Sequence, residues 1–235
     1  MEIVGADPPT AERIRERHER LLTRLRGAAQ ANGHDPARPR IVAVTKTWPV
    51  AVARAAVDAG LVRLGESRVQ EAEAKISVLP DAEWHFIGRL QSNKARRAVR
   101  AFAVIHSIDS LELLRKIGDL MAEEGRRPRL LVQVNVTGEG TKAGISSEAL
   151  LVPESVALLA KNGVIGLMTI ARMGAPEAEA RAAFRALREL RDRLQQAAGI
   201  GLPELSMGMT ADAEAAAAEG ATLVRIGTAL FGPRP

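Results

Sequence analysis

A chain of 235 residues with 46% hydrophobic side chains carries enough apolar material for one sizeable core, and its length is usual for a single α/β barrel. It has no cysteine, which excludes disulfides, thiolate metal sites and a thiol nucleophile and suits a reducing cytoplasm; no apolar run approaches the roughly 20 residues that cross a bilayer, and Met1 to Pro9 lacks a signal-peptide core. The net charge of +5 raises nucleic acid as a partner, but aromatic residues make up only 3% and tyrosine is absent, so a stacking platform for single strands is not expected.

In chain order, Ala11 to Ala31 reads as an N-terminal helix. Its arginines Arg13, Arg15, Arg17, Arg20, Arg24 and Arg26 are interleaved with Glu12, Glu16 and Glu19 at helical spacing, which predicts a solvated face with i,i+4 pairs. After a loop rich in Gly and Pro, Ile41 to Thr45 reads as a strand and Val50 to Ala59 as a helix. Val62 to Leu64 precedes a helix from Val69, and His85 to Ile87 precedes one from Ser92 that carries the densest basic cluster, Lys94, Arg96, Arg97 and Arg100. Ala103 to His106 leads to a helix from Ser110, with Asp109 placed as its cap, and Leu130 to Val136 leads to one from Ser147. Val164 to Met168 precedes a long helix from Pro176 to Gln196, and short strands end at Leu205 and Ile226. These are about eight βα repeats without a composition break, so residues 1–235 are expected to form a single domain, a parallel barrel with an N-terminal helix. No strand is followed by a dinucleotide fingerprint of closely spaced glycines, which weakens a doubly wound sheet.

Chemistry in such a fold gathers at the C-terminal ends of the strands. Lys46 directly follows the β-branched run Ile41-Val42-Ala43-Val44-Thr45, where an amine can be desolvated and condense with an aldehyde; a lysine capping a strand into solvent is the bland alternative. At the far end, Thr222 to Ile226 runs into Gly227-Thr228-Ala229-Leu230-Phe231-Gly232, and Ser206-Met207-Gly208-Met209-Thr210 opens a helical stretch at Ala211. Two successive exits rich in glycine and hydroxyls suit a phosphate site after the last two strands of a barrel, against the alternative of two ordinary turns. His85 enters an apolar strand and reads either as a core histidine with one satisfied nitrogen or as a pocket residue.

The motifs Ala43-Val44-Thr45-Lys46-Thr47, Trp84 to Gly88 with Leu90-Gln91-Ser92-Asn93-Lys94, Ser206 to Thr210, and Val224 to Thr228 through Phe231-Gly232 resemble, in order, the pyridoxal-phosphate-binding family. That family is known as YggS in bacteria and as the pyridoxal phosphate homeostasis protein or proline synthase co-transcribed homologue in animals. The resemblance spans about Ile41 to Gly232. It implies a TIM-like (β/α)8 barrel similar to the N-terminal domain of alanine racemase, the fold type III of pyridoxal-phosphate proteins. It implies pyridoxal 5′-phosphate as cofactor, held as a Schiff base on Lys46, with the phosphate at Thr210, Gly227 and Thr228, Arg225 facing the pyridine nitrogen, and Ser67, His85 and Met207 around it. Family members look like carriers or regulators of the cofactor pool without robust catalysis, with apo pyridoxal-phosphate enzymes as candidate recipients. A monomer is expected, with a dimer as the alternative.

Two rivals remain at this stage, a weak amino-acid racemase-like enzyme and a class I aldolase-like enzyme acting through Lys46. An arginine at the pyridine nitrogen can only donate, which makes the ring a weaker electron sink, and the chain has no tyrosine to act as a racemase's second base, although His85 could support slow proton transfer. Asn135, Thr137, Gly138, Glu139, Thr141, Lys142 and Gly144 resemble the family's mobile segment, with Lys142 as a candidate second amine. The chain departs from the family at Ser67 and Arg68, where many members have Asn-Tyr, at Arg89, commonly proline, and at Thr210, commonly serine.

Overall fold

The computed structural model describes residues 9–137 and 143–233. Strands β1 (Arg40–Val44), β2 (Arg63–Glu66), β3 (Glu83–Phe86), β4 (Val104–Ile108) and β5 (Arg129–Asn135) pair in parallel in chain order. The two-residue β6 (Ile145–Ser146) is a side branch on the end of β5. From β5 the sheet continues through β7 (Val164–Met168), β8 (Glu204–Met209) and β9 (Leu223–Ile226), and β9 pairs back onto β1. Eight parallel strands thus close a barrel, and closure leaves no unpaired edge in that ring.

Helices cover the outside: α1 (Ala11–Ala31), α2 (Val50–Asp58), α3 (Val69–Ile76), α4 (Ala95–Ala101), α5 (Leu111–Glu124), α6 (Ser147–Leu150), α7 (Pro153–Lys161), α8 (Glu177–Ala198), α9 (Ala213–Ala218) and α10 (Thr228–Phe231). In α1 the buried residues Ile14, Leu21, Leu25 and Ala29 form one helical stripe, which packs on α2, α9 and α10. Three of its arginines reach across to those neighbours: Arg15 donates to the Asp58 carbonyl, Arg17 to the Leu230 carbonyl, and Arg24 pairs with Glu214. The basic cluster on α4 is likewise neutralised between helices, Arg96 and Arg100 by Glu124 and Arg97 by Glu73.

Element ends differ from expectation where backbone chemistry intervenes. The helix expected from Ser92 begins as a 3₁₀ turn, Ser92–Lys94, before α4. The one from Ser147 breaks after Leu150 and restarts at Pro153, because proline lacks an N–H and drives the residue before it out of the helical region. The cap of α5 is Ser110, whose hydroxyl accepts the Leu113 amide at 3.1 Å; Asp109 instead faces Arg89.

Strand alternation divides the core in two. Trp84, Phe86, Ile105 and Leu205 point outward into the apolar shell under the helices, where Phe86 and Phe102 meet edge to face at 5.1 Å. Inside the barrel, Val42, Val104, Leu131, Met168 and Leu223 form a small apolar cluster. Each fully buried aliphatic side chain contributes roughly 1.5–3 kcal/mol. The interior also takes polar side chains, His85, His106, Ser206 and Arg225, which set the chemistry beneath the mouth. No described helix is long and apolar enough to cross a membrane.

Candidate functional site

The pairing of β9 with β1 brings together two exits that lie about 180 positions apart in sequence. Ala43 is in register with Ile226, so Lys46 and Gly227 leave neighbouring parallel strands at the same end of the barrel. Lys46 continues the parity of Val42, which faces the interior, and is half-buried. The residues on either side of it are clamped. The Lys75 ammonium donates to the Thr45 carbonyl at 2.8 Å and to Glu66 Oε1 at 2.7 Å, and the Thr45 hydroxyl donates to the same Glu66 oxygen at 2.7 Å. Beyond Lys46, the Thr47 amide donates to Glu71 Oε1 at 2.7 Å, and Thr47 takes a left-handed φ of 69°. A β-branched residue in that region is strained, so the surrounding bonds hold the turn that presents Lys46. Burial raises the pKa of Glu66, against the hydrogen bonds from Lys75 and Thr45 that lower it.

Gly227 is not required by the protein itself. Its φ is −114°, and a Cβ built there meets only the Val44 carbonyl at 3.6 Å and the Val44 Cβ at 3.7 Å, ordinary contacts. A bare backbone with open space in front of it is what close approach of a ligand needs. Thr228 and Thr210 stand exposed at the exits of β9 and β8. The β8 exit is bent by Gly208, whose φ of +87° and lack of space for a Cβ, 2.5 Å from that of Ala216, accompany a register shift against β9. Ser67 is half-buried at the β2 exit, and its carbonyl would lie 2.2 Å from a Cβ on Gly88, so glycine lets the β2 and β3 exits touch.

Arg225 is 5% exposed inside the barrel, which overturns the surface-arginine alternative. It donates through Nη1 to the Ser206 carbonyl at 2.9 Å and to the Ser206 hydroxyl at 2.6 Å, and through Nη2 to the Thr169 carbonyl at 2.9 Å. Desolvation lowers its pKa to about 10, which still leaves it charged at neutral pH. Below it the interior continues as a polar column. His106 Nδ1 lies 2.8 Å from the Ser206 hydroxyl, His106 Nε2 lies 2.8 Å from His85 Nδ1, and His85 Nε2 lies 2.8 Å from Glu83 Oε1. Glu83 opens β3 at the N-terminal end, between Arg63 and Arg129, which open β2 and β5. The hydrogen bond from His85, with the charges around it, lowers the Glu83 pKa to about 2. Burial lowers that of His85, and burial together with His85 and Arg225 lowers that of His106 well below its ordinary value.

Of the residues read from sequence, Lys46, Ser67, Thr210, Gly227 and Thr228 therefore stand at strand exits on one end, and Arg225 lies just beneath them. Two placements are corrected. Met207 is fully buried in the outer apolar shell, because it alternates with the inward Ser206, so its side chain does not face the mouth. His85 is 1% exposed with both nitrogens engaged inside the barrel, so it is a core histidine with two satisfied nitrogens rather than a pocket residue or a free base. Lys142, Gly138, Glu139 and Thr141 lie outside the described residues. Sequence reading missed Glu83, His106 and Ser206 as inward partners and Lys75 and Glu66 as the clamp. Polar residues alternating with apolar ones in otherwise buried strands, Glu83 and His85 above all, were the available signal; nothing marked Lys75.

A cavity of about 280 Å³ opens beside this cluster at the exits of β5, β7 and β8, lined among others by Asn135, Thr169, Arg172 and Met209. It adjoins Arg225 through the Thr169 carbonyl but does not take in Lys46 or Gly227.

The family described as "Alanine racemase, N-terminal domain" matches residues 22–235. A protein of Pseudomonas aeruginosa named pyridoxal phosphate homeostasis protein is 44% identical over 94% of this chain and 96% of its own length, and one of the same name from Aquifex aeolicus is 42% identical over 93% and 97%. The solved structure of PipY from Synechococcus elongatus with PLP bound is 40% identical, covers 93% of this chain and 100% of its own, and superposes with a TM-score of 0.81. Alanine racemase of Clostridium difficile, 16% identical over 92% of this chain and 57% of its own, shares the fold with a TM-score of 0.67.

Proposed function

We propose, for a chain that belongs to the pyridoxal phosphate homeostasis protein family and carries the alanine racemase N-terminal domain, that it binds pyridoxal 5′-phosphate at the barrel mouth and carries or buffers it. Binding of this cofactor and a role in its homeostasis follow from that membership; the residue roles are the inference from this chain. The observation that carries them is the convergence of an amine and a glycine cradle on adjacent strands, β1 and β9, with a buried cation beneath.

The residues fit the group. Lys46 would hold it covalently through its ε-amine, Gly227 would let the phosphate approach the backbone, and the hydroxyls of Thr228 and Thr210 would donate to phosphate oxygens. Ser67 would contribute a short hydroxyl at the β2 exit, and Arg225 would present a donor toward the ring. When bound, the cofactor supplies an aldehyde that condenses with amines and a ring that can accept electron density. The protein side does little to exploit that ring. Arg225 stays charged and donates only, the chain contains no tyrosine, and both His85 nitrogens are tied inside the barrel, so none of these supplies a base at the mouth. A carrier is therefore favoured over a racemase. We place it in the cytoplasm as a monomer that passes cofactor to apo pyridoxal-phosphate enzymes.

The test is the absorption spectrum of the protein reconstituted with pyridoxal 5′-phosphate, followed by borohydride reduction and peptide mass analysis. The expected result is a visible band and a reduced adduct on Lys46, both lost in Lys46→Ala, with reactivation of an apo-enzyme by the loaded protein. An adduct on another lysine would overturn the site. Sustained turnover of an amino acid would overturn the carrier.

A further inference from the structure

The column beneath Arg225 has a direction, and the direction follows from the chemistry of its two ends. Arginine can only donate, so the Ser206 hydroxyl accepts from Arg225, and its own proton is free to point at His106 Nδ1. At the opposite end Glu83 is a carboxylate, which can only accept, so His85 Nε2 must carry the proton that faces it. With one proton on each ring, the single arrangement that satisfies every 2.8 Å contact has His106 donating from Nε2 to His85 Nδ1. The reverse arrangement would set a bare nitrogen lone pair of His85 against the Glu83 carboxylate. A charged ring is disfavoured as well. His106 is fully buried and shares Ser206 with a guanidinium, while His85, 1% exposed, is flanked by Arg63 and Arg129 as well as by Glu83.

We propose that Glu83, at the N-terminal end of the barrel, is a remote positioning residue for Arg225 at the mouth, acting through His85, His106 and Ser206 as a one-directional chain of hydrogen bonds in which both imidazoles are protonated on Nε2 alone. Every bond runs from the guanidinium toward the carboxylate, so each donor is polarised by the charge behind it and each acceptor by the charge ahead. Arg225 is thereby held by three acceptors, two of them backbone carbonyls of β8 and of the β7 exit, and one a hydroxyl whose orientation is decided at the far end of the barrel. The charged groups facing the column are Glu83, Arg63 and Arg129 below and Arg225, influenced by Asp212, above. The consequence for a bound ring rests on the reading that pyridoxal 5′-phosphate sits over Arg225; the tautomers do not.

The chain holds four histidines, so ¹⁵N-histidine labelling resolves the matter in the protein without cofactor. In the native protein His85 and His106 should both show a protonated Nε2 and an unprotonated Nδ1 from pH 6 to 8; a protonated Nδ1 on either ring overturns the proposal. In Glu83→Ala, His106 should move toward mixed tautomers although it does not touch Glu83, and Glu83→Gln, whose carbonyl can still accept from His85, should restore the native pattern. A His106 pattern indifferent to Glu83→Ala overturns the coupling. Should Glu83→Ala fail to fold, Ser206→Ala, which removes the partner of His106 Nδ1 but leaves Glu83 to fix both rings, must keep Nε2 protonated on both; mixed tautomers there overturn Glu83 as the end that decides the direction. In the loaded protein the visible band should shift in Glu83→Ala and return in Glu83→Gln. A shifted His106 with an unmoved band overturns the link to the mouth, whereas no band in the native protein is a failure of the cofactor reading and leaves the tautomer result standing.

Discussion

Two buried polar networks lie on opposite faces of the same sheet, and they are built differently. Outside, between β2 and α3, Lys75, Glu66 and Thr45 form a compact knot around a full ion pair, and Glu66 Oε2, with no partner in it, is left buried. Inside, Glu83, His85, His106, Ser206 and Arg225 form an open column with its charges at the two ends and neutral groups between. The knot fixes a backbone, the turn that carries Lys46. The column fixes a side chain, Arg225. A rigid turn tolerates a costly, nearly unsolvated ion pair because the surrounding strand and helix hold it, whereas a charge brought to a ligand needs spread-out, directional support.

Breaking the knot should have the largest effect. Lys75→Met leaves the Glu66 carboxylate buried without its cation, and about 3–5 kcal/mol of stability should be lost in urea unfolding. Replacing both partners, Lys75→Met with Glu66→Leu, should recover most of that loss; a double variant as unstable as the single one would show that the pair is not acting as a unit. The column should be weaker, link for link. His106→Leu removes a neutral ring and strands the Ser206 hydroxyl and His85 Nδ1, for an expected cost of about 1–3 kcal/mol.

Acid should sharpen the same contrast. The folded-state pKa values of His85 and His106 lie below the unfolded value, so as pH falls through about 6.5 the unfolded chain takes up protons that the folded column refuses. The column's stabilisation is complete above that pH and declines below it by up to about 1.4 kcal/mol per pH unit for each ring. Glu83, held at about 2 against 4.5, adds a second loss as pH falls between those values. Unfolding measured at pH 5, 6 and 7 should show a slope in the native protein that is lower by about one proton in His106→Leu. The smallest effect on folding should come from Gly227→Ala, within about 0.5 kcal/mol because its Cβ meets no crowding, yet the same methyl should fill the cradle and weaken pyridoxal 5′-phosphate binding roughly tenfold or more. Unchanged binding would remove Gly227 from the site.

The sequence by itself determined the repeat of strand and helix, because apolar period and turn residues are local properties, and the long runs at Val164 to Met168 and Ala11 to Ala31 fall where they were read. It also marked Lys46 and Gly227, since a residue's place just past a strand is visible without knowing what lies beside it. Only the tertiary structure decided what faces what. Closure of β9 onto β1 made neighbours of those two exits, and the register across the barrel joined His85 to His106 and Ser206 from three separate strands. The parity of β8 sent Met207 into the shell while its neighbour Ser206 turned to Arg225. Side-chain direction in a strand has a period of two, so it is fixed only once register, bulges and closure are known, and those are properties of the whole ring of strands rather than of any one of them.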